Sequence, residues 1–261
     1  MNFEQPKREL QPDQVEAPEA QKRAKEPHFI SSRLLEVLGG TKDATKAGDL
    51  VDEGAYLWGA EDRDKGKGIF RHVLLTSRVA YFLGKSLKDK GAPEYQDIDL
   101  KSLVEGAILH DVTKLYGEDR EKLSPELKSA IGIDEGFREI SSQVDEKGVS
   151  WLKDLGFPPE VYEAIRGHDF PEAVVENPYW KIILLADYMS SQEIMPVKKR
   201  LEDIKTRWID QQIAKGEEPR IEPERFAIAQ ENIEKVAKEI FDILGTEDEK
   251  FIEDHKLNSD E

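Results

Sequence analysis

The sequence predicts an all-α protein. Three observations carry this expectation. Apolar residues recur at helical spacing along most of the chain, helix-start residues precede those segments, and strand-like alternation with Asn-Gly or Asp-Gly hairpin turns is missing.

The first segment, 1–27, holds Pro6, Pro12, Pro18 and Pro27 among Gln and Glu, with almost no large apolar side chains. Such a stretch cannot bury enough surface to offset its ordering entropy, so a disordered arm is expected there. From residue 28 to 245 a single all-α domain is expected. Near 70–90 one apolar face runs through Ile69, Phe70, Val73, Leu74, Ser77, Ala80, Tyr81 and Leu83 to Gly84. Leu100, Leu103, Val104, Ala107 and Ile108 then repeat at amphipathic spacing, with Asp99 placed as an N-cap. Ser124-Pro125-Glu126 reads as a cap followed by proline in the first turn. Pro158-Pro159-Glu160 opens a helix that includes Val161, Ala164 and Ile165. Asn177-Pro178 precedes a very apolar helix over Ile182–Met189, and a charged helix follows Pro196 to about Lys215. The last helix puts Ile233, Val236, Ala237, Ile240 and Leu244 on one face and stops at Gly245. Beyond it, 246–261 has seven acidic and two basic residues and reads as an acidic, disordered tail.

Composition narrows the chemistry. The chain has 261 residues, 55 of them acidic and 38 basic, for a net charge of −17. That balance argues against broad nucleic-acid binding, which needs a basic face. There is no cysteine, which excludes disulfides, thiolate zinc sites, iron–sulfur clusters and a cysteine nucleophile. No apolar run approaches the roughly 20 residues needed to cross a bilayer, and 1–27 has no signal-peptide core. A soluble, cytoplasmic protein that does not engage membranes is expected; composition is silent on its oligomeric state.

Five histidines remain as candidate chemistry: His28, His72, His110, His168 and His255. In Ile108-Leu109-His110-Asp111-Val112-Thr113-Lys114, an imidazole and a carboxylate end an amphipathic helix, and Lys114 follows at i+4 and i+3 on the same face. Taken alone, this is equally a helix C-terminus capped by His110 with a surface Asp111–Lys114 pair. His72 stands near the start of the preceding helix, just before its apolar stripe. His168 ends the helix opened at Pro159. Asp187 lies inside Ile182-Ile183-Leu184-Leu185-Ala186-Asp187-Tyr188, where a carboxylate is costly to bury unless it is paired or binds a metal. Imidazoles and carboxylates spread over four helices suit a metal site of nitrogen and oxygen donors, for Mn, Fe, Co, Ni, Zn or Mg.

The ordered set His72, His110-Asp111 with Lys114, His168 and Asp187-Tyr188 resembles the HD-domain superfamily of metal-dependent phosphohydrolases over roughly Phe70 to Ser191. "ILHDVTK" is similar to that family's His-Asp signature, and "LLADYM" to its late apolar-Ala-Asp stretch. The resemblance implies an HD-like helical bundle with additional N- and C-terminal helices. It implies His72, His110, Asp111 and Asp187 as ligands of a divalent ion. His168 would be a ligand of a second ion or, equally, an ordinary histidine at a helix end. Asp169 stands where many members have another histidine, which leaves one or two ions open. Asp111 and Lys114 would be catalytic, and Lys114 would contact phosphate. Arg71 and Arg166 each neighbour a predicted ligand region and are candidate secondary phosphate contacts; either taken singly is more simply an ordinary solvated arginine. The charged, histidine-free stretch between Tyr116 and Val149 would be an insertion shaping the substrate pocket. The implied function is hydrolysis of a phosphate ester, of a nucleotide or similar small molecule, by metal-activated water. The alternatives are an HD-like di-iron oxygenase and a non-catalytic metal-binding regulatory or interaction module.

Overall fold

A computed structural model of the chain describes residues 63–111, 152–153, 156–162, 176–191, 193–218 and 222–258. Within them the protein is helical, and no strand occurs among the described residues. The elements are α1 (Arg63–Asp89), a short 3-10 turn (Pro93–Tyr95), α2 (Leu100–Leu109), α3 (Pro178–Ser190), α4 (Val197–Ile204), a π segment (Lys205–Asp210), α5 (Gln211–Ala214), α6 (Pro223–Leu244) and α7 (Asp248–Asp254). A further helical stretch covers 159–162. The arm at 1–27, the cap at Ser124-Pro125, the stretch from Tyr116 to Val149, and Ala164 and Ile165 lie outside the described residues. No described helix is long and apolar enough to cross a membrane.

Local signals set several helix ends. Asp99 caps α2, its carboxylate accepting from the Ser102 backbone N–H at 3.0 Å. Asn177 caps α3 by accepting from the Tyr179 N–H, and Pro178 takes the first helical position. The two helix starts are also tied together, since the Asp99 N–H donates to the Tyr179 hydroxyl at 2.8 Å. Gly245 closes α6 at φ +67°, with its N–H on Asp242 O and that of Thr246 on Phe241 O. This left-handed stop is one that glycine adopts without strain.

α1 is the central strut and packs against both α2 and α3. Val79, Ala80, Leu83 and Leu87 of α1 are fully buried and share one apolar cluster with Leu103 and Ala107 of α2 and Ile182 to Ala186 of α3. α1 and α2 cross closely at Gly84, where a Cβ would stand 2.5 Å from Leu103 Cδ2. A side chain there would force the Leu103 side chain to move, so the close approach favours glycine through space and not through backbone conformation.

The structure departs from the sequence reading at three places. α1 begins at Arg63, so His72 stands well inside a 27-residue helix and not near its start. The preceding turns, Arg63-Asp64-Lys65-Gly66-Lys67-Gly68, carry no apolar residue, so apolar periodicity cannot register them. The helix after Pro196 does run on to Ala214, but it widens into a π segment over Lys205–Asp210.

The third departure concerns the expected acidic tail. Residues 248–254 form α7, and Phe251, Ile252 and Leu257 are buried in the common apolar cluster. The acids that gave the segment its solvated look have other uses. Glu249, Glu253 and Asp254 face solvent, whereas Asp248 accepts from the Val197 N–H at 2.8 Å and so caps α4 from outside. Phe251→Ala should therefore cost about 3–5 kcal/mol, as for a buried aromatic truncated to alanine. Chemical denaturation of wild type and variant checks this, and a solvated tail would leave the midpoint unmoved.

Candidate metal centre

Two helix C-termini and the middle of α1 meet at one point. α2 ends at Leu109, and the next two residues are His110 and Asp111, both buried. α3 brings Asp187 in its last turn. α1 crosses both helices and contributes His72. Nε2 of His72 lies 3.0 Å from Nε2 of His110 and 3.0 Å from Oδ1 of Asp187. Nε2 of His110 lies 3.5 Å from the same Asp187 oxygen. Oδ2 of Asp111 stands 3.6 Å from His72 Nε2 and 3.7 Å from His110 Nε2. The side chains range from fully buried for His110 to 19% exposed for Asp187, so the cluster reaches solvent at the Asp187 side.

Each imidazole has already committed its other nitrogen. His72 Nδ1 donates to Ser190 O at 3.2 Å, and His110 Nδ1 donates to Ala107 O at 2.6 Å. A carbonyl can only accept, so both Nδ1 atoms carry hydrogen. In the neutral rings both Nε2 atoms are then bare lone pairs, facing each other and two carboxylates. Ala107 O and Ser190 O belong to the last turns of α2 and α3, where helix carbonyls have no intrahelical partner. Both histidines thus satisfy orphan carbonyls while presenting Nε2 to the cluster. The reading of His110 as a C-terminal cap is met by Nδ1 and leaves Nε2 facing the cluster.

Four inward-facing acceptors at the negative ends of two helix dipoles call for a cation. Metal–ligand bonds of roughly 2.0–2.2 Å put neighbouring donors roughly 3–3.5 Å apart in tetrahedral or octahedral sites. The spacings of the two imidazoles from each other and from the two carboxylates, 3.0 to 3.7 Å, are close to those of such a polyhedron. His72, His110 and Asp111 have donor atoms within 4.8 Å of one another. The donor set fits a divalent ion, and Nδ1–H bonds of this kind are what fixes the tautomer of a ligating histidine.

Electrostatics point the same way. Burial works against an imidazolium at His72, but the hydrogen bond to Asp187 and the charges of Asp187 and Asp111 outweigh it and raise its pKa above the ordinary value. Burial likewise opposes ionisation of Asp187, yet its hydrogen bonds to His110 and His72 hold it well below the usual carboxylate range. In the absence of metal, a proton on His72 is the cation available to the cluster.

Arg200, in the first turns of α4, is buried and is a residue that the sequence reading passed over. It pairs with Asp203 at 3.0 Å. Burial lowers its pKa, against the opposing charges of Asp203, Asp187 and Tyr188. Its positive field therefore reaches the Asp187 side of the cluster. No signal in the chain marks it, because arginine in a charged amphipathic segment looks like any solvated cation.

Of the residues expected from sequence, the structure brings together His72, His110, Asp111 and Asp187. Arg71 is exposed, immediately before His72 on α1. Lys114, Arg166, His168 and Asp169 lie outside the described residues.

A family model described as HD domain matches residues 69–192. The chain carries an HD domain. The matched segment spans α1 from Ile69, α2 and α3, and so contains all four clustered side chains. No curated protein and no solved structure matched the chain.

The two pKa shifts give the metal-free protein a defined pH dependence. His72, raised in the folded state, contributes stability that is complete below its unfolded pKa near 6.5 and is lost as pH rises through the folded value. Asp187, depressed in the folded state, contributes stability that is present above its unfolded pKa near 3.8 and is lost as pH falls through the folded value. Chelator-treated protein should therefore melt at lower temperature at pH 8.5 than at pH 5.5, and added Mn²⁺ should stabilise it more at pH 8.5. Thermal melts at both values check this; equal metal-induced shifts would remove His72 from the proton–metal competition.

Proposed function

We propose that this chain is a metal-dependent phosphohydrolase, acting on a phosphate ester of a nucleotide or a similar small molecule. The observation that carries the reading is the convergence of His72, His110, Asp111 and Asp187, with both Nδ1 atoms tied to helix-end carbonyls. His72, His110, Asp111 and Asp187 would hold the ion, with His168 as a candidate for a second. A divalent ion bound there supplies hydroxide near neutral pH by lowering the pKa of its water. Asp111 would orient the attacking water or accept its proton. Lys114 would neutralise charge growing on the phosphoryl oxygens as the bond to the leaving group breaks. Arg71 and Arg166 would make secondary phosphate contacts, and the field of Arg200 would assist from the α4 side. In a chain of net charge −17, an anionic substrate needs this local positive field to approach at all.

Protein purified without chelator should contain a divalent metal, measured by elemental analysis, and should hydrolyse at least one member of a panel of nucleotides and phosphate esters. Asp111→Ala should lose both metal and turnover. Lys114→Ala should keep the metal and lose rate by roughly 10²–10³, the scale of removing one transition-state charge donor. Protein with no metal would sink the reading. An oxidised di-iron absorption band with no ester hydrolysis would replace it with an oxygenase, and unchanged turnover in Lys114→Ala would remove that residue's role.

A further inference from the structure

Two buried hydroxyls lie directly behind the cluster, at the crossing of α1 and α3. Thr76 Oγ1 and Ser190 Oγ are 2.6 Å apart, and both residues are fully buried. Ser190 Oγ is also 2.7 Å from Ala186 O. Each hydroxyl has one proton to give, so one chain satisfies both donors: Thr76 donates to Ser190, and Ser190 donates to the Ala186 carbonyl. Ser190 meets α1 a second time through its own backbone carbonyl, which accepts from His72 Nδ1 at 3.2 Å. Thr76 follows His72 by four residues, so both stand on one face of α1, one turn apart. Ser190 follows Asp187 by three residues on α3. A single residue therefore grips two successive turns of α1, one turn away from the carboxylate that must meet His72.

We propose that Thr76 and Ser190 are positioning residues of the metal centre, a cross-helix hydroxyl link that sets the register at which His72 Nε2 faces Asp187 Oδ1. The proposal rests on reading the cluster as a metal site. An apolar contact at the same place would hold the helices together equally well but would tolerate sliding. A short hydroxyl pair in a dry interface does not, because a shift of about an ångström breaks the bond and leaves a buried polar group poorly matched. A bland role as a satisfied buried polar pair is separable, since it predicts loss of stability without loss of metal geometry.

The test is Mn²⁺ titration by calorimetry on full-length wild type, Thr76→Val, Ser190→Ala, Thr76→Ser and Ser77→Ala, with the visible spectrum of Co²⁺-loaded protein as a geometry readout. Thr76→Val removes the link while leaving the Ser190 proton on Ala186 O, so it creates no orphan donor. Ser77→Ala is the control: Ser77 is a buried α1 hydroxyl bonded within its own helix, to Leu74 O at 2.8 Å. Thr76→Val and Ser190→Ala should fold cooperatively, bind Mn²⁺ about 10- to 100-fold more weakly, and shift the Co²⁺ bands. Thr76→Ser and Ser77→Ala should match wild type in affinity and spectrum. Two folding-independent arms protect the test, because Ser190→Ala and the Thr76→Ser rescue still report if Thr76→Val does not fold. Wild-type affinity and spectrum in Ser190→Ala or Thr76→Val, failure of Thr76→Ser to restore them, or an equal loss in Ser77→Ala would overturn the proposal while leaving the metal site standing. Wild-type protein that binds neither ion would overturn the metal-site reading and this proposal with it.

Discussion

The described structure is organised around the meeting of unmatched lone pairs at two helix C-termini. α2 and α3 both end at the cluster, and each brings the negative end of its dipole there. Asp111 and Asp187 add formal negative charge, and His72 and His110 add Nε2 atoms whose tautomers are fixed by Nδ1–H bonds to Ala107 O and Ser190 O. A positive charge is needed to hold the two imidazoles 3.0 Å apart and within 3.0 to 3.7 Å of the two carboxylates. Much of the rest follows from that requirement. α1 must be long enough to pass both helix ends, and its crossing with α2 must be close, which Gly84 allows. The link from Asp99 N–H to the Tyr179 hydroxyl aligns the far ends of α2 and α3, so that their near ends arrive together.

The charge distribution acquires a local meaning from this arrangement. The chain is acidic overall, with a net charge of −17, but several acids serve architecture. Asp99 and Asp248 occupy helix N-termini, where their charge is stabilised, and Glu239 pairs with Lys181 across α6 and α3. Asp203 lies between Arg200 and Arg207 and pairs with both. Arg200 is held in a buried position by α4 packing, and its field reaches Asp187. The cluster thus has a buried cation on a neighbouring helix beside its own carboxylates.

How far the sequence revealed this depends on the range of each signal. Caps and stops were legible because they are local: Asp99, Asn177-Pro178 and Gly245 act within four residues of themselves, and all three stand where the spacing put them. His72, His110, Asp111 and Asp187 were legible for another reason. A carboxylate inside Ile182–Met189 and a His-Asp pair at a helix end are locally unfavourable, and their shared order supplied the remedy. Thr76 and Ser190 were not legible, since each is an ordinary hydroxyl on an apolar face, and only folding brings together positions 114 residues apart. The beginning of α1 escaped because its first turns carry no apolar residue. α7 escaped because net charge averages over a segment, whereas burial depends on Phe251, Ile252 and Leu257 individually.

The C-terminal helices bear on what the HD segment needs in order to work. The family match ends at residue 192, but the apolar cluster does not. It runs without a break from Val79 of α1 through α3 to Ile233, Val236 and Ile240 of α6 and Phe251 and Leu257 beyond. Phe82 of α1 stands 4.9 Å, centroid to centroid, from the His255 ring, which itself stacks on Phe251 at 4.3 Å. α1, which carries His72, is therefore also packed against residues outside the matched segment. Helix positions in a packed interior are set jointly, since interiors of this density transmit small shifts. The distance from His72 to Asp187 is accordingly a property of the whole bundle, α6 and α7 included, and not of the four clustered side chains alone.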